Sequence, residues 1–528
     1  MRPSPEPRRV PVLIVGGGVV GLSAALFLLH HGLRPLLAER HRGTSIHPRS
    51  RGINARSGEL FREVGLFDQI RAAGDALQPA VGIHSARTLA EAIEALPRRA
   101  PGAPQPHLGM GTEALTPTPT CRCTQDLMEP ILRAAAGERG ADVRFGTEVE
   151  SFVEDGEGVS AVLLERESGA RDHVRADYMI AADGAGGGTR ERLGIATTGR
   201  GAMGNLLNVL LHVDLAELVR GREFSLCVVE NEKVRGLWVT IDNHSRWALH
   251  IVYRPEQGES PADFPPSRCV ELARHALGLP SADVEVLGIL PWQPSVRVAE
   301  RFRKGRVFLA GDAAHQMPPW GGQGANAGIA DVHNLAWKLA FVLGGQAAPS
   351  ILDTYDVERR PIGRYAAERA GALGGRDGLI SVEGAGLPAA KIGASFVAGL
   401  NYRYGGGESV LVDELDGRPG TRVPHAWVKV DGERRSTLDL FGRQFVLISR
   451  DDLWREIARD VVLQRQMPLR VVALRDADGA EGWAQQVHLG SGGALLVRPD
   501  GFVAWRTEAA SDDPARALDD ALAQALGR

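Results

Sequence analysis

Asp312 stands where a carboxylate can do chemistry. It follows a short apolar run, Val307–Ala310, of strand length and composition. It precedes a loop dense in rigid and permissive residues: Pro318, Pro319, Gly321, Gly322 and Gly324. A helix is expected from about Ala325 to Leu343, with Val332, Leu335, Ala336, Leu339 and Val342 forming one buried stripe. Strand, carboxylate, glycine loop and helix start together make a site for a large polar ligand. Unpaired N–H groups at such a helix start, here at Ala325 and Asn326, favour a developing anion. The crowding of Gly321, Gly322 and Gly324 suggests backbone passing close to a planar ligand, with positive φ angles.

A second constellation lies near the start of the chain. Val10–Val15 reads as a buried strand, and Gly16-x-Gly18-x-x-Gly21 follows at once. Leu22–His31 reads as a helix ending at Gly32, and a strand Arg34–Ala38 delivers Glu39 and then Arg40. This is the dinucleotide-binding fingerprint in its required context. Gly16 permits the tight turn, Gly18 lets a pyrophosphate approach the backbone, and Gly21 lets helix and strand pack closely. Glu39 is placed to bond the ribose hydroxyls of an adenosine. The fingerprint does not by itself separate FAD from NAD. Tyr178–Ala182 is another short strand and ends in Asp183-Gly184; Gln125 opens a helix with Leu127, Ile131 and Leu132 on one side.

The elements that must hold these residues belong to an ordinary globular chain. Its 528 residues suffice for two to four domains, 44% are apolar and 24% charged, and a net charge of -4 with mixed signs argues against a nucleic-acid binder. The four cysteines (Cys121, Cys123, Cys227, Cys269) form no CxxC pair or zinc spacing, which points to a reducing cytoplasm without structural disulfides. The histidines do not cluster at metal-ligand spacing, so no metal is expected. No apolar run reaches the roughly 20 residues of a membrane span, and the first residues lack a signal-peptide pattern.

The stretch GDAAHQMPPWGGQGANAGIADVHNLAWKLA resembles the signature of FAD-dependent aromatic hydroxylases of the p-hydroxybenzoate hydroxylase type. Within them it is most similar to bacterial hydroxylases of aromatic polyketides, such as aklavinone and angucycline hydroxylases, and the likeness extends over nearly the whole chain. The resemblance implies an α/β fold: a Rossmann-like FAD-binding domain, an inserted β-sheet substrate domain and a C-terminal thioredoxin-like domain. The expected division gives residues 1–79, 111–194 and 291–375 to the FAD-binding domain, and 80–110 and 195–290 to the substrate domain. Residues 376–404 are a linker helix region, and 405–528 the thioredoxin-like domain, which has no cysteine and so no thiol chemistry.

The same resemblance implies non-covalent FAD, NADPH or NADH as co-substrate, and a small aromatic substrate with O2; a homodimer is left open. Oxygen would pass from a flavin C4a-hydroperoxide to an electron-rich ring. Baeyer–Villiger oxygenation, an oxidase or dehydrogenase on the same fold, and a non-catalytic flavin-binding accessory remain as alternatives. By resemblance, Arg49 contacts the FAD from a segment that moves with the flavin, Gln125 and Asp312 bond the ribityl chain, and Asp183 belongs to the motif for FAD and nicotinamide. That motif departs from the family at Gly186 and Gly187, where Arg and Ser are usual. Pro318, Pro319, Gly322, Gly324, Ala325 and Asn326 form the flavin environment, with Trp320 beside them. His315 is read as a structural histidine, and no protein base is assigned. Trp238, Trp247, Tyr253 and Trp292 are candidates for an aromatic pocket, although large aromatics in a sheet are more often core.

Overall fold

Strands buried on both faces read as continuous apolar runs, and three such runs pair in parallel here: Arg8–Val15 lies between Leu36–Glu39 and Arg171–Ala181. The computed structural model describes residues 7–77, 82–100, 114–375, 377–381, 399–405, 410–450, 452–465, 467–474, 479–510 and 512–528. Val307–Leu309 extends the parallel sheet on one side and Asp142–Phe145 on the other, and antiparallel strands bring it to eight. Helix Val19–His30 packs against this sheet between helices Gln125–Glu138 and Gly324–Leu343. The chain is a mixed α/β protein.

A second sheet has six strands, in the order Glu285–Trp292, Leu206–His212, Arg246–Val252, Arg235–Thr240, Leu226–Glu230 and Ile83–Ala86. One face carries Leu207, Val209, Trp238, Trp247 and Ile251 against helix Pro266–Leu277. Trp238 and Trp247 are fully buried there, edge to face, and Tyr253 joins the same cluster. Trp238 and Trp247 are core; Tyr253 packs in this cluster and also lines a cavity at its edge. Trp292 lies on the opposite face.

The expected domain limits shift at both ends of this sheet. Strand Glu285–Trp292 stays paired until Trp292 meets Leu206, so the sheet continues past residue 290. Thr197–Ala202 instead pairs with Ser295–Ala299, which pairs with His315–Gln316, forming a small separate sheet. Of the expected linker, Arg376 and residues 382–398 lie outside the described residues, as do 101–113 of the loop-rich stretch.

The C-terminal block has a four-stranded mixed sheet, Leu469–Ala473, Phe445–Ser449, Ala494–Val497 and Val503–Thr507, with helices Leu453–Arg465 and Pro514–Ala525. Phe445, Leu447, Trp454 and Leu518 belong to the same continuous core as Val12 and Leu22. Helix Gly324–Leu343 is therefore buried on nearly all sides, which corrects the single-stripe expectation. Asp331, Asn334 and Lys338 look like a solvated face in sequence, yet each is at most 1% exposed. Glu358 accepts from Lys338 Nζ at 2.7 Å and Asn334 Nδ2 at 2.7 Å, and Arg359 Nε donates to Asp331 at 2.8 Å.

Candidate functional site

Two helix starts and the ends of four parallel strands lie along one edge of the eight-stranded sheet, and the groove beside them is the candidate cleft. At the first, Gly16 has φ +104° and a Cβ there would lie 2.3 Å from the Ala182 carbonyl oxygen. A Cβ on Gly21 would lie 1.9 Å from the Gly16 carbonyl oxygen, so neither position admits a side chain. Gly18 caps helix Val19–His30 with no side-chain hydrogen bond, which leaves N–H groups of the first turn beyond Val19 open to an anion. Glu39, at the end of its strand, accepts from Gly17 N–H at 2.6 Å and from His41 N–H at 2.8 Å. Its carboxylate thus fixes the glycine loop, with lone pairs to spare for a ribose. Arg40 beside it is exposed.

Glu129 is the residue that sequence reasoning missed. It is 2% exposed, accepts from Ser45 N–H at 2.7 Å and from Gln125 Nε2 at 2.6 Å, and also takes the Val19 N–H. Burial raises its carboxyl above the usual range despite these donors and the nearby Arg49. The available signal was the i,i+4 spacing of Gln125 and Glu129, hidden in an apolar helix. Arg49 itself is exposed, and its charge acts on both Glu129 and Asp312.

Asp183 follows strand Arg171–Ala181. Its Oδ2 accepts from Thr189 N–H at 3.1 Å, while Oδ1 is buried with no partner. A Cβ on Gly187 would lie 2.0 Å from the Asp183 carboxyl carbon. That gives the glycine a reason in this chain: the carboxylate folds back into the space a side chain would fill.

The second helix start is Gly324. Gly311, at φ +59°, ends the strand and donates its N–H to Asp331 at 3.1 Å. Asp312 then faces the cleft. It is exposed there yet ringed by protein, and that desolvation raises its carboxyl above the ordinary value, with His315 and Arg49 opposing. Gly321 and Gly322 have φ of +90° and +66°, as expected, but Gly324 does not. It is the first residue of the helix, and a Cβ on it would meet only Met317 at 3.8 Å and Asp312 Oδ1 at 3.9 Å. Gln323 leaves this helix start uncapped, with Ala325 next in its first turn. Asn326 turns its side chain inward: Oδ1 accepts from Asn54 N–H at 2.9 Å and Ser57 Oγ at 2.7 Å, and Nδ2 donates to Gly322 O at 2.7 Å. It holds the loop rather than facing the cleft.

Pro318 is buried and Pro319 exposed beside Trp320, which is 4% exposed with its indole N–H unpartnered. Trp320 packs with Leu206, Val228, Leu237 and Val252 on the second face of the six-stranded sheet. At the end of that face a cavity of about 490 Å³ opens between Val252, Asn205, Arg235 and Asp377. His315 is fully buried, with Nε2 2.7 Å from Asp331 Oδ2 and Asp331 paired to Arg359, which fits a structural histidine. Among the described residues no cluster could hold a metal and no helix is long and apolar enough to cross a membrane.

Residues 9–370 match a family model described as an FAD binding domain, and residues 416–528 match one described as the C-terminal part of aromatic-ring hydroxylases. A putative polyketide hydroxylase of Streptomyces halstedii is 41% identical, over 95% of this chain and 94% of its own. A tetracenomycin B2 monooxygenase-dioxygenase of Streptomyces olivaceus is 40% identical, over 98% of this chain and 99% of its own. Among solved structures, aklavinone-11 hydroxylase in complex with FAD and aklavinone superposes with a TM-score of 0.86 at 35% identity, covering 98% of this chain and 99% of that one.

Proposed function

The chain belongs to the FAD-dependent aromatic-ring hydroxylases, and on that premise we propose that it consumes NAD(P)H and O2 to place one oxygen atom on a ring of an aromatic polyketide or related phenol. The observation that carries this reading is that Trp320, in the loop just before the second uncapped helix start, packs on the apolar face of the six-stranded sheet and so joins two surfaces. One holds two uncapped helix starts with Asp183 and Asp312, and the other is an apolar sheet face closed by Trp320.

The first surface fits FAD. Gly16 and Gly21 leave room only for backbone, first-turn N–H groups beyond Val19 await an anion, and Asp183 Oδ1 is a buried acceptor with no partner among the described residues. Gly16, Gly18, Gly21, Glu39 and Arg40 would hold the adenosine and pyrophosphate. Arg49, Gln125, Asp183 and Asp312 would hold the ribityl chain and ring. When bound, FAD would take two electrons from NAD(P)H and activate O2 for transfer of one oxygen atom.

What the protein's own residues do follows from their placement. The N–H groups at Gly324 and Ala325 stabilise negative charge on the ring. Pro318, Pro319 and Trp320 exclude water with few groups that donate protons. Asn326 keeps Gly322 in its left-handed turn. A phenolic substrate activates its own ring, so no protein base is needed. We read the eight-stranded sheet as the FAD domain, the six-stranded sheet as the inserted substrate domain, and the C-terminal block as a thioredoxin-like domain without redox cysteines.

The test is NAD(P)H consumption by the purified flavoprotein across hydroxyanthraquinones and related phenols, with 18O2 as oxidant. Substrate-stimulated consumption with label in the product is expected. Consumption that yields dehydrogenated product without label would replace this reading with an oxidase or dehydrogenase.

A further inference from the structure

The apolar sheet face carries two polar side chains that the described residues leave only partly answered. Asn208 and His250 are cross-strand partners in the antiparallel pair of Leu206–His212 with Arg246–Val252. They share the face of Leu206, Ala248 and Val252, because side chains alternate along each strand. Each is 8% exposed. The Oδ1 atom of Asn208 is buried without a hydrogen-bond partner.

The tautomer of His250 follows from its neighbour. An indole N–H can only donate, and Trp292 Nε1 lies 3.2 Å from His250 Nδ1, with the two rings edge to face at 5.2 Å. Nδ1 is therefore the acceptor, and the proton of the neutral ring sits on Nε2. Burial first, then the charge of Arg51, lowers the His250 pKa to about 3, so the ring is neutral at any working pH. Nε2–H makes no hydrogen bond to another described residue. A donor and an acceptor unanswered by any described residue thus stand side by side on an apolar face, where unsatisfied polar groups are rare.

Resting on the hydroxylase reading above, we propose that Asn208 and His250 are specificity-determining residues that recognise an adjacent hydroxyl and carbonyl on the substrate's ring system. His250 Nε2–H donates to the carbonyl oxygen and Asn208 Oδ1 accepts from the hydroxyl. The substrate class is then an aromatic hydroxyketone in which the two oxygens flank one ring edge. Trp292 holds the imidazole in the donating tautomer and is a positioning residue.

The experiment titrates the FAD-loaded protein with 1-hydroxyanthraquinone and with unsubstituted anthraquinone, following the flavin spectrum, and measures NAD(P)H consumption in the same preparations. Wild type should bind the hydroxyketone about tenfold more tightly, the size expected of hydrogen bonds to buried partners. Asn208→Leu and His250→Phe should each bring the two affinities within about twofold, and His250→Gln, which keeps an N–H donor, should restore part of the preference. A merely structural role would weaken both ligands together and leave their ratio unchanged, which would overturn the proposal. So would a wild type that binds both equally, as when a buried water satisfies the pair. If wild type neither binds nor consumes NAD(P)H with any ring compound, the hydroxylase reading falls and this inference with it.

Discussion

Glu59 and Arg422 are 363 residues apart in sequence and form a fully buried ion pair, with Arg422 Nε 3.0 Å from Glu59 Oε2 and Nη2 against Oε1. Arg56 donates to the same carboxylate at 3.0 Å and to the Asp500 carbonyl at 2.9 Å. Arg498 bridges Glu358 and Asp500, and Trp337 Nε1 donates to Asp500 at 3.2 Å. The C-terminal block therefore supplies counter-charges to helices of the FAD-binding domain.

Breaking such a pair leaves an uncompensated buried charge. Glu59→Gln, which strands both Arg56 and Arg422, should destabilise the protein by about 3–5 kcal/mol, whereas Arg422→Met leaves Glu59 paired with Arg56 and should cost less. Thermal unfolding of the holoprotein reads both. For the same reason, truncation before residue 405 should fail to give a folded flavoprotein, because Glu59, Glu358 and Trp337 would lose their partners together. A truncated chain that folds and binds FAD with wild-type stability would contradict this.

Asp312→Ala addresses the cleft. Among the described residues Asp312 makes no hydrogen bond, so its loss should leave the protein's own stability unchanged. If it bonds a ribityl hydroxyl, the substitution should weaken FAD binding by about 1.5–3 kcal/mol. Flavin content after gel filtration measures this, and acid precipitation should leave the yellow colour in solution, since the FAD is held without a covalent bond. Full flavin content in the variant would place Asp312 away from the cofactor.

Acid should loosen the protein through the histidines at the end of helix Val19–His30. Burial lowers the His31 pKa to about 3 and also lowers that of His30; Glu63, His333 and Arg443 surround them. His31 is neutral in the folded state, while the unfolded chain takes up a proton near pH 6.5. Its folded pKa is depressed, so its contribution is complete above pH 6.5 and is lost as pH falls toward 3. The loss is at most about 1.4 kcal/mol per pH unit for one proton. His31→Gln should flatten the dependence of Tm on pH between 6.5 and the acid limit. An unchanged slope would show that another group carries it.

Local constraints were legible in the sequence and long-range ones were not. Gly16 and Gly21 announce their loop because a positive φ at Gly16 and the Gly16 carbonyl against Gly21 are set within a few residues, although Gly16 also abuts Ala182. Asn208 was invisible and Glu129 nearly so, since each depends on a partner or a vacancy contributed by another element. The polar side of helix Gly324–Leu343 misled for the same reason: Asp331 and Lys338 look solvated until Arg359 and Glu358 are brought to them by the fold. Arg498 and Asp500 close a buried charge network with Glu358, a role no local pattern announces.

The glycine loop before Gly324 provides the sharpest test, because two of its glycines have different jobs. Gly322 has φ +66°, a conformation costing a β-branched residue about 1–3 kcal/mol. Gly322→Val should therefore lower Tm and release Gly322 O from Asn326. Gly324 is helical, and a Cβ on it meets only ordinary contacts, so Gly324→Val should fold with near wild-type stability. Its side chain would instead stand in front of Asp312, where the flavin ring is expected to meet the helix start. Displacing one donor from an anion site typically costs on the order of a hundredfold in rate. Gly324→Val should keep some FAD through the loop at Gly16–Gly21, yet lose coupled hydroxylation, with NAD(P)H oxidation slowed or ending in peroxide. Product formed per NAD(P)H consumed, measured beside the Tm of each variant, separates the two effects. Wild-type coupling in a well-folded Gly324→Val protein would put the flavin ring elsewhere and remove the basis for assigning Asp312, Pro319 and Ala325 to its surroundings.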